Sequence, residues 1–303
     1  MRKIRAVVIL FMWLFFPAAQ GAIYSIPSNG NDLVGKLSMA QVESGDTVNT
    51  IRQRYEISYN VLIDANPQIN FRKFSVGQEI LIPSEYVLPR YRNGIVINTA
   101  ELRLYYFTRD GHHVLTYPVA VGRQNWRTPS IITKIVDKKP NPTWYVPESI
   151  RGYMLEKTGR LLPDFIPPGP DNPLGKYALY LAKHGYLIHG TNQPDSVGTY
   201  ASSGCIRMAS DAIETLFNAV PIGTPVYLIN HANKAGWKGD ILYLESHEPI
   251  SHREKPSELN TFSPKDAIIE AASKHPAEVD WNIIRKVADQ HTGIPTPIGK
   301  EAL

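Results

Sequence analysis

The 303 residues contain one cysteine, Cys205, and His189 stands sixteen positions before it. The stretch between them, HGTNQPDSVGTYASSGC, is rich in Gly, Ser and Thr. A thiol and an imidazole are the two groups that nucleophilic acyl transfer requires. An ordinary thiol has a pKa near 8.5, so it needs a partner that lowers this value or takes the proton. Imidazole titrates near neutrality and can return that proton to a leaving amine. Attack on an amide carbonyl creates an oxyanion, for which the backbone N–H groups of Ser203, Gly204 and Cys205 are the nearest donors. Gly204 lets the chain turn tightly with no side chain over the substrate. Arg207 carries a fork suited to a substrate carboxylate, and equally to a structural ion pair with Asp211 or Glu214. On residue types alone the alternatives stay open: Cys–His catalysis, a buried inert thiol, or chance spacing. Cys205 with His184 and His189 falls short of a structural zinc set, and no HExxH or CxxC pattern occurs, so neither metal nor other cofactor is expected.

The elements that must hold these groups are β-rich. His189 follows the apolar Tyr186-Leu187-Ile188 and is expected at a strand end, with Cys205 on a loop before a helix over Asp211–Val220. That helix carries Ile213, Leu216, Phe217 and Val220 on one face, and Asp211 with Glu214 reads as a capping box. Strands are expected around Ile95–Ile97, Leu102–Tyr106, Val114–Val121, Ser130–Val136, Tyr177–Leu181, Tyr186–Ile188 and Pro225–Ile229, with Asp110-Gly111 as a hairpin turn. Residues 161–175, LLPDFIPPGPDNPLG, can be neither helix nor central strand and read as a loop flanking a site. Tyr86–Arg92 reads as a linker. The tail over 231–303 reads as a polar, partly helical extension without chemistry, with helices over Pro264–Lys274 and Val279–Gln290 and histidines too scattered for a metal.

Ahead of this β-rich region lies a small βααβ unit over residues 40–84. Asp46 or Thr47 caps one short helix, Ser58 a second that stops at Asn66-Pro67, and Glu79–Ile82 forms the closing strand. At the N-terminus, Arg2, Lys3 and Arg5 precede an apolar run over Ala6–Phe16 and small residues ending in Ala19-Gln20-Gly21. This is the layout of a signal peptide over residues 1–22, the plainer alternative being an uncleaved anchor. Export makes the cysteine informative, because in an oxidising compartment an odd thiol is either paired between chains or reactive. The formal net charge is +4. Without the three leader cations it is about +1, so nothing electrostatic suggests nucleic acid as a partner. No second long apolar run occurs, so no stable membrane span is expected after the leader.

The small unit resembles a LysM module, a fold that docks on N-acetylglucosamine-containing glycans. The matching residues are Ser44-Gly45-Asp46-Thr47, Asn66-Pro67 and Val76-Gly77-Gln78-Glu79-Ile80. The run from His189-Gly190-Thr191-Asn192 to Ser202-Ser203-Gly204-Cys205-Ile206-Arg207 resembles the signature of the L,D-transpeptidases with a YkuD-type catalytic domain. So do Asn141–Trp144 and Pro167–Leu179 upstream. Where that family commonly has His-Gly-Cys, this chain has Ser203-Gly204-Cys205, and Ile131 follows Thr128-Pro129-Ser130 without the usual glycine.

The resemblance implies an α+β, mainly β chain. The LysM module is followed by a sandwich-like catalytic domain over 93–230 and the 231–303 extension. It further implies a periplasmic peptidoglycan enzyme with Cys205 as nucleophile, His189 as base and then acid, and the Gly190 carbonyl orienting the imidazole. Ser203, Gly204 and Arg207 are implied in oxyanion and substrate contacts. The implied acceptor is the C-terminal lysine of a Braun-type outer-membrane lipoprotein. The alternatives are a diaminopimelate amine (3-3 cross-links), water (an L,D-carboxypeptidase or a lipoprotein-detaching amidase), or a non-catalytic wall-binding protein that keeps the fold as scaffold. With an ordinary imidazole, activity is expected to fall between about pH 8 and pH 5.

Overall fold

The computed structural model describes residues 21–27, 30–249 and 263–302. The leader expected over 1–22 lies almost wholly outside them. The chain is α+β with strands in the majority, built as three packed units.

In the first unit, strands Ser38–Gln41 and Glu79–Ile82 pair antiparallel and enclose helices Val48–Arg54 and Tyr59–Asp64. Thr47 caps the first helix in a reciprocal box with Thr50. Ser58 occupies the cap position of the second without bonding to it. Its hydroxyl reaches out of the unit to the Leu102 carbonyl, 3.0 Å away. Asn66, fully buried, donates to the carbonyls of Leu62 and Leu81 and accepts from the Leu81 N–H, each at 2.8 Å. One amide thus ties the end of a helix to the closing strand, over a core of Ile51, Ile57, Leu62, Ile80 and Ile82.

The second unit is a nine-stranded sheet. Its order is Ala22–Ser25, His113–Pro118, Arg103–Phe107, Gly94–Asn98, Pro225–Ile229, Ile131–Pro140, Tyr177–Leu181, Leu187–His189 and Ile206–Arg207. Strand Ile131–Pro140 turns the corner. Ile131–Lys134 pairs with Pro225–Leu228, the register shifts after Ile135, and Asp137–Pro140 pairs with Tyr177–Tyr180. Ile95, Ile97, Leu104 and Tyr106 face a large core with Ile188, Ile206, Ile213 and Leu216. Val96, Tyr105 and Phe107, on the opposite face, are also buried, against Val34, Tyr86 and Leu88. This corrects the reading of Tyr86–Arg92 as a linker: Glu85–Val87 is a buried strand paired with Leu33–Gly35. The helix runs over Ser210–Ala219, and the capping box does not form. Asp211 Oδ1 accepts from the Ala212 N–H instead, and Glu214 accepts from the Tyr177 hydroxyl. A helix over Glu148–Thr158, absent from the sequence reading, buries none of its residues, so it leaves no apolar periodicity to detect.

The third unit departs most from expectation. Residues 233–249 and 263–302 form a four-stranded antiparallel sheet with helices Pro264–Ala272 and Trp281–Gln290, and Val279 is strand rather than helix. It has its own core of Trp237, Leu242, Leu244, Ile268, Ile284, Val287 and Ile298. At its junction with the large sheet, Lys234 Nζ lies 2.8 Å from Glu101 Oε2, 3.0 Å from Glu245 Oε1 and 2.7 Å from the Val87 carbonyl, all buried. His247 Nε2 is 2.7 Å from the same Glu245 oxygen. The histidine taken as scattered thus stands in a three-ligand cluster with Glu101 and Glu245, where the Lys234 ammonium supplies the positive charge.

Candidate active site

His189 ends strand Leu187–His189, whose neighbour Ile206–Arg207 runs parallel with His189 opposite Arg207. Cys205 immediately precedes that neighbouring strand, so the register brings the two sequence-distant groups to one sheet edge. The Met208 N–H to His189 carbonyl bond (2.9 Å) and paired Ala120–Arg207 backbone bonds (2.9 and 3.0 Å) lock it.

His189 is 4 % exposed, and its Nδ1 lies 2.6 Å from the carbonyl oxygen of Gly190. With the proton on Nδ1, Nε2 keeps its lone pair. Burial, reinforced by the Arg207 charge, lowers the ring pKa to about 4, against the opposing pull of the Gly190 and Leu174 carbonyls. The neutral ring is therefore the resting form at neutral pH. Burial pushes the Cys205 thiol up, only partly offset by the Leu187 N–H and Arg207. Sγ contacts the Gly185 carbonyl at 3.5 Å, and among the described residues no hydrogen bond joins it to the imidazole. The thiol is unpaired and partly exposed.

The turn before Cys205 is fixed by two hydroxyls, of Ser202 and Thr128, that the sequence reading named within motifs but gave no role. Gly204 has φ +110°, and a Cβ there would stand 3.2 Å from the Tyr186 ring. Ser202 Oγ donates to the Cys205 carbonyl (2.5 Å) and accepts from the Gly204 N–H (3.0 Å). Thr128 Oγ1 donates to the Gly204 carbonyl (2.8 Å) and accepts from the Gly122 N–H (3.0 Å). Of the three expected oxyanion donors, the Gly204 N–H is thus already engaged. Those of Ser203 and Cys205 have no acceptor among the described residues.

The 161–175 loop is held by buried Asn172, whose amide donates to the carbonyls of Pro142, Ile166 and Pro167 at 2.9–3.1 Å and accepts from the Leu174 N–H. Its sequence signals were its place as the one Asn in a Pro-rich run and within the Pro167–Leu179 stretch of the family resemblance. Neither Asp211 nor Glu214 pairs with Arg207. Its guanidinium is partly buried, and its one hydrogen bond among the described residues is to the Ser196 hydroxyl, at 3.5 Å. His184 is exposed on the neighbouring turn and joins no cluster.

Two family models match. Residues 40–83 match the LysM domain, and residues 92–228 match the L,D-transpeptidase catalytic domain of the YkuD type. The class is thus an L,D-transpeptidase carrying a LysM module. The chain is 35 % identical to the probable L,D-transpeptidase YcfS of Escherichia coli (strain K12), covering 92 % of this chain and 89 % of the relative. It is also 35 % identical to the probable L,D-transpeptidase ErfK/SrfK of the same strain, over 91 % and 90 %. With the putative L,D-transpeptidase YkuD of Bacillus subtilis (strain 168) it shares 33 % over 61 % of this chain and 95 % of the relative. The chain belongs to the L,D-transpeptidase family.

Proposed function

We propose that this enzyme is an exported, periplasmic peptidoglycan L,D-transpeptidase acting through Cys205. The observation that carries the reading is an unpaired thiol on a rigid turn, one strand away from a buried neutral imidazole and beside an arginine with no acid partner among the described residues. The substrate class is a tetrapeptide stem whose diaminopimelate–D-Ala bond is cleaved. The Cys205 proton passes to His189 Nε2 as Sγ attacks the carbonyl carbon. The resulting oxyanion receives the free N–H groups of Ser203 and Cys205. Imidazolium then protonates the nitrogen of D-Ala, which leaves, and the acyl group remains as a thioester on Sγ. An acceptor amine attacks the thioester with His189 as base, which regenerates the thiol.

Raised thiol and lowered imidazole pKa values favour a neutral pair, in which the proton moves with the attack. The gap between Sγ and the ring fits a resting enzyme, since catalytic hydrogen bonds tighten when substrate binds. Arg207 holds a substrate carboxylate, its charge unmatched by any acid among the described residues. The LysM unit keeps the enzyme on polymeric peptidoglycan and raises effective concentration. The acceptor is the C-terminal lysine of a Braun-type lipoprotein, a reading that rests on the family resemblance.

The test incubates the protein with disaccharide-tetrapeptide, with and without a lysine-terminated lipoprotein peptide, and follows D-Ala release and peptide attachment. Attachment with stoichiometric D-Ala release is expected. Release that yields only 3-3 dimers, or only the tripeptide, would reassign the acceptor to diaminopimelate or water. No release would reject the enzyme reading.

A further inference from the structure

The LysM unit is seated on the very loop that joins His189 to Cys205. Arg52, on its first helix and 2 % exposed, donates Nη1 to the Val197 carbonyl (2.5 Å), Nη2 to the Asp195 carbonyl (2.6 Å) and Nε to Asn49 Oδ1 (2.8 Å). Gln53 Nε2 reaches the Asp195 carboxylate at 2.9 Å, and the Tyr59 N–H donates to the Gly198 carbonyl at 3.0 Å. Gly198 has φ +73°, and a Cβ there would lie 2.8 Å from Ser58 Cα, so the two backbones are in direct contact. Burying a guanidinium against two carbonyls, with no carboxylate in its fork, is costly. A hydrophobic contact would dock the unit at less expense. What the fork adds is geometry, because it brackets residue 196 from both sides.

Ser196 connects that bracket to the site. Its hydroxyl donates to the Gln193 carbonyl (2.7 Å), which leaves its lone pairs facing Arg207 Nη1 at 3.5 Å. Beyond Ser196 the chain passes through Thr199, whose hydroxyl donates to the Ser196 carbonyl (2.7 Å), into strand Tyr200–Ser202 and then the Cys205 turn.

We propose that Arg52 is a positioning residue. From the glycan-binding module it fixes the 195–197 turn, through Ser196 it aims Arg207, and it thereby sets the grip on the substrate carboxylate. The inference rests on the transpeptidase reading above. It adds to that reading that the LysM unit is part of the catalytic framework as well as a tether.

The test measures steady-state D-Ala release from a soluble disaccharide-tetrapeptide, too short to gain from polymer tethering. Wild-type turnover comes first, and its absence would fail the transpeptidase reading itself. Arg52→Gln, Ser196→Ala and Arg207→Gln are each expected to raise KM roughly tenfold, with kcat changed less than about threefold. The Arg52→Gln/Arg207→Gln double variant is expected to be no worse than Arg207→Gln alone. Independent, multiplying losses would overturn the relay. So would a wild-type KM in Arg52→Gln, or a fall in kcat and titratable thiol with KM unchanged, the pattern of a merely structural role. If Arg52→Gln does not fold, Ser196→Ala decides alone, since it leaves the Arg52 contacts intact. A wild-type KM there would overturn the proposal.

Discussion

At His189 burial and the Arg207 charge push in the same direction, and together they displace the expected pH behaviour. The sequence expectation used an ordinary imidazole and placed the acid limb between about pH 8 and 5. With the ring pKa lowered to about 4, the imidazole stays neutral through that range. The rate of D-Ala release is therefore expected to stay level on the His189 limb from pH 8 to 5 and to fall as pH approaches 4. Arg207→Gln removes one of the two depressing influences and should move that limb to higher pH. A fall centred near pH 6.5 in the wild type would contradict this. Residue types alone left Cys205 and His189 open to chance spacing; the surrounding motif singled them out, and the structure sets them at neighbouring strands of one sheet edge. The unavailability of the Gly204 N–H was not, because it depends on the rotamer of Ser202.

The turn and strand edge around Cys205 work as one element. Ser202→Ala removes the hydroxyl that bridges the Gly204 N–H and the Cys205 carbonyl. It is expected to slow acylation of Cys205 roughly tenfold, consistent with loss of about 1–2 kcal/mol of hydrogen bonding. Stopped-flow thiol acylation measures this, and an unchanged rate would show that the turn is set by Thr128 and Gly204 alone. Elements with an apolar period were readable from sequence, as Tyr177–Leu181 and Pro225–Ile229 illustrate. Helix Glu148–Thr158 was not, since it buries nothing. Strand Asn233–Lys238 was missed for the opposite reason. It reads NKAGWK, polar and lysine-rich, yet Lys234 is buried because its acid partner Glu101 arrives from 133 residues away. Local pattern cannot show a charge that a distant residue compensates.

At the scale of the whole molecule, His189 and Glu245 are two of the buried titrating groups that make stability depend on pH. His189 is protonated in the unfolded chain below about pH 6.5 but in the folded one only below about 4, so protons favour unfolding across that interval. The loss amounts to something on the order of 3 kcal/mol by pH 4. Burial raises the Glu245 pKa, but Lys234 and the hydrogen bonds from His247 and the Val87 N–H outweigh it, and the net value is depressed. Its stabilising contribution is present above the unfolded carboxylate pKa and disappears as pH falls through the lower folded value. Melting temperature should thus decline from pH 6.5 to 4 and further below. Lys234→Met leaves Glu101 and Glu245 buried without their cation and is expected to cost about 3–5 kcal/mol in urea unfolding. A loss under 1 kcal/mol would show that the junction does not depend on the ion pairs. Among the described residues no helix is long and apolar enough to cross a membrane.

The most direct test of the central claim is intact-mass measurement of the wild-type protein and Cys205→Ser, quenched in acid within seconds of mixing with disaccharide-tetrapeptide. The expected result is a wild-type adduct equal to the substrate less D-Ala, mapped to Cys205, labile to hydroxylamine and absent from Cys205→Ser, whose D-Ala release falls at least about a thousandfold. D-Ala release that persists in Cys205→Ser, with no adduct on the wild type, would contradict it.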